Sequence, residues 1–301
     1  MKSKVEKMGF TIVELLTVMS IIVILLSLLL PSLGAVRRYA RKVRQKGQFH
    51  EIAKCLEMFR IEYDTYPDSS PFDLEGDSYC GAMKLCEAVM GQDGLGLHPD
   101  SRFDDLGRDK DNEDLYYNRV TTKPTSPYTK EEEENLRSRR PLCLEEAAKV
   151  VPIQTLLGNV GFGNVQNFDP CCPVLCDVFA RTELTDQDGE KVGMPVLYYK
   201  ADPAKLTHDP NQGYSSRTNI YNYDDNHELV GIQVRWSDAT ATWHHPIYDT
   251  SQSSPDLFYK LTKDPDVKVV GKPEKPDSYL LISAGWDGLY GTRDDVFNFG
   301  R

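Results

Sequence analysis

The sequence lacks the short motifs that indicate the common classes of enzyme. It contains no G-x-S-x-G, no H-E-x-x-H, no P-loop and no Rossmann fingerprint, and each of these motifs has a defined catalytic or nucleotide-binding role. His244 and His245 could begin a metal site, but neighbouring residues of a strand point to opposite faces. We therefore expect exposed or satisfied histidines there, and a protein that is not an enzyme.

Basic residues are scarce after residue 50. The first 50 residues carry nine Lys and Arg against two acidic residues, whereas the rest of the chain carries 26 basic and 44 acidic residues. Phosphate contacts need clustered Lys and Arg, so this balance argues against nucleic acid as a partner. The basic residues near position 40 follow an apolar run and favour anionic lipid headgroups or an acidic neighbouring domain as partners.

Charge is nearly absent from residues 10–34, where Glu14 is the one charged side chain. The 21 residues of Phe10–Leu30, apolar or small except for Glu14, match the roughly 20 that span a bilayer core as a helix. A charged side chain at mid-bilayer costs about 2.5–3.5 kcal/mol on insertion scales. Glu14 must therefore either reach water from a shallow position or meet a positive partner.

Three interpretations of this run are open. In a cleaved secretory signal, Ser32-Leu33-Gly34 would supply the small-residue site, but such signals have shorter apolar regions without an acid. A plain signal anchor is the second interpretation. The third depends on a larger pattern, in which Gly9 and Phe10 follow a basic leader and Glu14 stands five residues after Gly9. The leader lysines are Lys2, Lys4 and Lys7.

The stretch KMGFTIVELL resembles the processing site of the type IV pilin and type II secretion pseudopilin family. Pro31 stands where many members also carry proline. The resemblance implies cleavage after Gly9 by a prepilin peptidase and methylation of the new N-terminus at Phe10. It also implies that Glu14 pairs with the N-terminal amine of a neighbouring subunit, a pairing that offsets the desolvation of both charges.

Several expectations about location and partners follow from the resemblance. It implies a single-pass protein of the bacterial inner membrane whose C-terminal domain is periplasmic. It also implies a filament of this chain with other pseudopilins, an inner-membrane secretion platform and membrane lipid as partners. Charge counting opposes this orientation, because six basic residues follow the apolar run and three precede it.

A long helix is predicted for about residues 10–64. Pro31 can bend a helix without ending it, and an apolar stripe recurs at spacings of three and four beyond it. The stripe consists of Phe49, Ile52, Leu56, Phe59 and Tyr63. We expect a leader at 1–9, a transmembrane and filament-core helix at 10–33, its amphipathic continuation at 34–64 and a globular domain at 65–301.

The globular part predicts an α+β fold in which a small antiparallel sheet packs on the long helix, as in pilins. Strands are predicted at 195–201, 229–236 and 278–285, because these runs are rich in β-branched and aromatic residues. A short helix is predicted at 81–91. Residues 92–140 are polar and predict a long surface insertion, in which the acidic run at 131–134 begins a solvated helix.

Seven cysteines permit disulfides in an oxidising compartment, and their odd number leaves at least one thiol free or paired between chains. The cluster CCPVLC at 171–176 favours a disulfide-bearing loop over reduced structural cysteines. A metal site is disfavoured there, because no second Cys/His group stands at a finger-like spacing.

The acidic C-terminal loop at 284–296 follows an apolar strand. Carboxylates and turn carbonyls are the oxygen ligands that calcium requires, but an ordinary acidic hairpin fits the same residues. The loop also resembles the calcium-binding loop of major pseudopilins, which implies Asp287 and Asp294 as ligands, Asp295 as a weaker candidate and Ala284 near a carbonyl donor. Val296 stands where family members carry serine, which weakens this ligand set.

The sequence therefore favours a pilin-like or pseudopilin structural subunit that polymerises through Phe10–Leu30 into a periplasmic filament for protein secretion or a related pilus. The alternative is a membrane-anchored periplasmic domain that binds a ligand or catalyses a reaction. The site residues are then Gly9 and Phe10 for processing, Glu14 and Pro31 for assembly, and the C-terminal aspartates for calcium.

Overall fold

The structure is a computed structural model that describes residues 11–116, 128–142, 144, 149–157, 167–181, 184–186, 188–210, 218–234, 243–248, 256–267 and 271–300. The side chains of residues 28–32 also lie outside the described part. The chain divides into two compact units, Met1–Val43 and Arg44–Arg301. The fold is α+β, with an N-terminal helix and small antiparallel sheets.

Helix α1 runs from Ile12 to Tyr63 and includes Pro31. In the second unit its predicted apolar stripe is buried, because Phe49, Ile52, Leu56 and Phe59 are at most 4% exposed. Tyr63 is the exception at 36% exposed, although its ring stacks on Phe59 with centroids 4.4 Å apart. The stripe thus packs into the core up to the last turn of the helix.

A three-stranded antiparallel sheet forms the centre of the second unit. It consists of β3 (Leu197–Lys200), β4 (Tyr279–Ser283) and β5 (Val296–Phe297), in the order β3-β4-β5. A second, two-stranded sheet pairs β1 (Val150–Pro152) with β2 (Pro173–Leu175). The strands predicted at 195–201 and 278–285 are therefore confirmed.

Both faces of the three-stranded sheet are buried. Along β4, Tyr279 and Leu281 pack with the α1 stripe, whereas Leu280 and Ile282 pack on the opposite side with Phe258. Successive strand residues point to opposite faces, so burial on both faces explains why β4 is a continuous apolar run. Phe258 belongs to helix α6 (Asp256–Thr262).

Helix α2 runs from Gly81 to Met90 and confirms the helix predicted at 81–91. All ten of its residues are buried, because α2 packs against β2 and β3 on the same side as the α1 stripe. Two shorter helices follow along the chain, α3 (Lys130–Ser138) and α4 (Ile153–Leu157).

The strand predicted at 229–236 is wrong. Its first residues form helix α5 (His227–Val230), which follows a 3₁₀ helix at Tyr223–Asn226. The Asn222 side chain accepts a hydrogen bond from the Asp224 amide and so caps this helical segment. Leu229 and Val230 are buried in this helix, because packing overrides their β propensity. Val234 forms an isolated antiparallel bridge with Trp243, and residues 235–236 lie outside the described part.

The cysteine cluster does not form the expected disulfide-bearing loop. Cys171, Cys172 and Cys176 are thiols, and so are Cys80 and Cys86. Cys55, on the buried face of α1, is disulfide-bonded instead. Burial raises the pKa of Cys80 to about 11, and it raises the pKa values of Cys86 and Cys176 as well. These last three thiols are therefore unreactive core residues.

Candidate functional site

The first turn of α1 is closed by a reciprocal pair of hydrogen bonds. The Glu14 amide donates to Thr11 Oγ1 at 3.2 Å, and the Thr11 amide donates to Glu14 Oε2 at 2.9 Å. The Thr11 hydroxyl also donates to Glu14 Oε2 at 2.7 Å. This is a capping box, in which a Thr and a Glu three residues later satisfy two otherwise free amides.

The capping box changes the interpretation of Glu14. Its carboxylate already has a partner, Thr11, in the same chain. A negative charge in the first turn also interacts favourably with the positive end of the helix dipole. Both bonds from Thr11 reach Oε2, and no donor among the described residues reaches Oε1. Sequence reasoning missed Thr11, although the spacing T-x-x-E was visible as a signal.

A long exposed apolar surface follows the capping box. Between Ile12 and Leu26, the large apolar side chains are 44–79% exposed. They are Ile12, Val13, Leu15, Leu16, Val18, Met19, Ile21, Ile22, Val23, Ile24, Leu25 and Leu26. A contiguous exposed apolar surface of this kind marks a site of protein or membrane interaction.

The hydroxyl groups within this apolar surface are satisfied by the helix itself. Thr17 donates to the Val13 carbonyl at 2.7 Å, and Ser20 donates to the Leu16 carbonyl at 2.8 Å. Ser27 similarly donates to a carbonyl one turn earlier. Because these polar groups need no water, the surface can be buried against another helix or lipid without leaving them unpaired.

The other processing and assembly residues lie partly outside the described part of the chain. Gly9 and Phe10 are outside it, and so is the side chain of Pro31. Of the helices that the structure does describe, none is long and apolar enough to cross a membrane. The expected span, Phe10–Leu30, includes Phe10 and the side chains of residues 28–30, which are outside the described part.

The C-terminal loop brings Asp287 and Asp294 together. The Asp287 amide donates to Asp294 Oδ2 at 2.9 Å, and the Thr292 hydroxyl donates to Asp294 Oδ1 at 2.6 Å. Gly285 makes this close approach possible, because it has a φ of +65° and a Cβ there would lie 2.3 Å from the Asp294 carbonyl oxygen. The two predicted ligands are therefore neighbours.

The two carboxyls have opposite pKa shifts. Burial, together with the adjacent Asp294, raises the pKa of Asp287. Burial also acts to raise the pKa of Asp294, but hydrogen bonds from Thr292 and from the Asp287 amide outweigh it and lower that pKa. Such a pair is stabilised by a shared proton or by a cation. Calcium needs six to eight oxygen ligands, and these two carboxylates would supply part of such a set.

Asp295 and Val296, the next two residues, are both buried. Burial raises the pKa of Asp295 to about 7, against hydrogen bonds from the amides of Gly291 and Thr292. Val296 begins β5 and is 1% exposed, so it packs in the core. Its side chain offers no oxygen to a metal ion.

A second acidic group among the described residues brings three carboxylates together. Carboxylate oxygens of Asp73, Asp77 and Asp105 all lie within 4.8 Å of one another. Asp73 Oδ1 accepts the amides of Glu75, Gly76 and Asp77, which forms a tight turn. The turn was visible as DLEGD, but the approach of Asp105, 28 residues later, left no signal in the sequence.

Comparison with known proteins gives a partial similarity. No protein-family model matches the chain, and no solved structure matches it. Over 58 residues the chain is 38% identical to the type IV wide pilus major component PilA4 of Thermus thermophilus. The match covers 19% of this chain and 44% of that protein, so the chain spans less than half of the pilin it matches. The chain is thus similar in part to a type IV pilin.

Proposed function

We propose that this chain is a pilin-like structural subunit that assembles with copies of itself through the first part of α1. The observation that carries the proposal is the exposed apolar surface of residues 12–26, whose hydroxyl groups are satisfied within the helix. Burying such a surface against neighbouring helices gains about 25 cal/mol per Å² of apolar area. The partial similarity to a type IV pilin supports the same function.

The proposal includes processing. A prepilin peptidase cuts after Gly9 and leaves a methylated Phe10, and residues 10–30 lie in the bacterial inner membrane before assembly. In the filament, the new amine of one copy contacts Glu14 of a neighbour. Oε1 of Glu14 has no donor among the described residues, so it can accept this contact while Oε2 keeps the capping box. Glu14 then sets the stagger between copies.

Further parts of the proposal concern the setting of the filament. The globular unit is periplasmic, and the filament is a pseudopilus of a type II secretion system or a related pilus. Its partners are other pseudopilins and the inner-membrane secretion platform. The function is mechanical, with no catalytic step.

The N-terminus of the mature protein tests the proposal. Mass spectrometry of protein purified from its native host is expected to show a chain that begins with methylated Phe10. A membrane-anchored binding or catalytic domain would keep Met1 instead, and this result would overturn the proposal in favour of that alternative.

The apolar surface is tested by a charge placed within it. We expect Leu25→Lys to abolish filaments seen by electron microscopy, because the ammonium would be buried between copies. Ile61→Lys is the matched control, because Ile61 is 82% exposed on α1 in the second unit and lies outside the apolar surface. Filaments of normal yield from Leu25→Lys would contradict assembly through this surface.

We also propose that Asp287 and Asp294 hold a calcium ion that closes the C-terminal loop, with Asp295 as a weaker candidate. A chelator is expected to lower the melting temperature of the wild type, and Asp294→Asn is expected to remove this response. Asp266→Asn is the control, because Asp266 is an exposed acid outside the loop. An unchanged melting temperature in chelator would remove the calcium proposal and leave the assembly proposal standing.

A further inference from the structure

A cavity of about 300 Å³ lies in the second unit, between α1 and the C-terminal end of the three-stranded sheet. Three buried aromatic rings form its walls, and three basic side chains stand at its rim. The walls are Phe49, Phe297 and Phe299, and the rim is Lys46, His50 and Lys275. We refer to these six residues as the basic pocket.

The rim of the basic pocket is positive in a unit that is mostly acidic. Lys46 and His50 are four residues apart on α1 and therefore lie on one face of the helix. Lys275 has a φ of +47°, a conformation that is uncommon for a residue with a side chain. Its ammonium lies 5.7 Å from the centre of the Tyr279 ring. Neither lysine forms an ion pair with a residue in the described ranges.

Helix α3 is acidic and has no buried side chain. Its N-terminus has a capping box of Thr129 and Glu132, which satisfies two amides of the first turn. Glu131 and Glu134 are three residues apart, so their exposed carboxylates are neighbours on the helix. No cation among the described residues pairs with either of them.

Helix α3 and the basic pocket are separated within one copy. Arg140, just after α3, forms an ion pair with Glu62 and lies over the rings of Phe59 and Tyr63. This end of α3 is therefore fixed at the last turns of α1. His50 lies twelve residues before Glu62 on α1, a distance of about 18 Å along the helix axis.

We propose that the basic pocket docks the acidic helix α3 of a second copy of this chain, with Glu131 and Glu134 placed against Lys46 and Lys275. This inference rests on the proposed self-assembly, because copies staggered along α1 would bring helix α3 of one copy to the basic pocket of another. The complementary charges select the stagger, and the aromatic walls exclude water from the contact.

Charge reversal and its compensation test the inference in the full chain. We expect Lys46→Glu with Lys275→Glu to lower the assembled fraction on the order of tenfold, because like charges then face each other. Adding Glu131→Lys and Glu134→Lys to that variant is expected to restore assembly. Lys272→Glu and Glu113→Lys are controls, because both residues are exposed and neither lines the pocket.

Cross-linking gives a second measurement. A zero-length carbodiimide is expected to join Lys275 or Lys46 to Glu131 or Glu134, and a mixture of ¹⁵N-labelled and unlabelled chains shows whether the bond is between copies. Filaments that form without this cross-link, or a fourfold variant that stays unassembled, would overturn the docking contact and leave the proposed function intact. A wild type that forms no filament in its native host would overturn both.

Discussion

Two segments of the chain, residues 12–26 and residues 92–140, differ from the burial that their composition predicts, and they differ in opposite directions. The first segment is apolar, yet its large side chains are 44–79% exposed. The second is polar, yet Gln92, Asp93, Asp104 and Arg139 are at most 7% exposed. Composition alone would predict buried side chains in residues 12–26 and exposed side chains in residues 92–140.

Partners explain the difference. Arg139 donates two hydrogen bonds to the Asp93 carboxylate at 2.7 and 2.8 Å and a third to the Leu115 carbonyl at 2.8 Å. Glu87 of α2 is buried as well, and its carboxylate accepts the hydroxyls of Tyr79 and Ser101, both at 2.5 Å. Polar residues can be buried when each has a partner, whereas the large apolar side chains between Ile12 and Leu26 stay 44–79% exposed in one copy.

Breaking the buried ion pair is the most severe test of this comparison. Arg139→Met is expected to lower the free energy of unfolding by about 3–5 kcal/mol, because it leaves the Asp93 carboxylate buried and unpaired. Arg137→Met is a matched control in the last turn of α3, two residues before Arg139, where the side chain is 81% exposed and its guanidinium lies 3.9 Å from Glu133. Denaturant unfolding measures both variants. Equal effects would show that the burial of Arg139 does not stabilise the fold.

Two leucines on α1 compare its apolar residues directly. Leu56→Ala is expected to cost about 2–5 kcal/mol of unfolding free energy, because Leu56 is completely buried. Leu25 is 61% exposed, so Leu25→Ala is expected to leave unfolding of the globular unit unchanged. If Leu25→Ala destabilised that unit as strongly, the exposed surface would already have a partner within the copy.

Much of the fold could be predicted from periodicity. The α1 stripe, the strands β3 and β4 and the helix α2 each have a local pattern, and each is present. The strand predicted at 229–236 is wrong at Leu229 and Val230, because these residues are held in the core as the end of helix α5. The burial of polar residues in 92–140 could not be predicted, because polarity indicates exposure. The pairing of Asp93 with Arg139 spans 46 residues and leaves no local signal.

The candidate site was partly predictable for the same reason. Glu14 was conspicuous because it is a single charge in an apolar run, and Asp287 and Asp294 were conspicuous as loop carboxylates. The capping partner Thr11 has a local signal, because Thr11 and Glu14 have the T-x-x-E spacing of a capping box. The cluster of Asp73, Asp77 and Asp105 joins distant parts of the chain, so only a structure could reveal it.

A buried carboxyl outside both segments makes the stability of the second unit depend on pH. Burial raises the pKa of Asp177 to about 7, against hydrogen bonds from Ser283 and the Phe179 amide. Between about pH 4 and pH 7 the folded state then holds a proton that the unfolded state has lost, so stability falls as pH rises. The contribution is complete below about pH 4 and is lost as pH rises through 7.

Asp177→Asn isolates this effect, because the amide cannot titrate and keeps the shape of the carboxyl. Relative to this variant, the wild type is expected to lose about 1.4 kcal/mol of unfolding free energy for each pH unit between pH 5 and pH 6. Denaturant unfolding at several pH values measures the difference. Parallel curves for the two proteins would mean that Asp177 is ionised in the folded state throughout this range.

The smallest expected effect concerns the capping box at the start of the apolar segment. Thr11→Val removes the hydroxyl that accepts the Glu14 amide and donates to Glu14 Oε2, so the first turn of α1 is expected to fray. Hydrogen exchange at residues 12–15 should become several-fold faster. Thr17→Val is the matched control, because the Thr17 hydroxyl donates only to carbonyls of its own helix. If both variants exchange alike, Glu14 is not held by Thr11, and its carboxylate depends on a second copy for its partner.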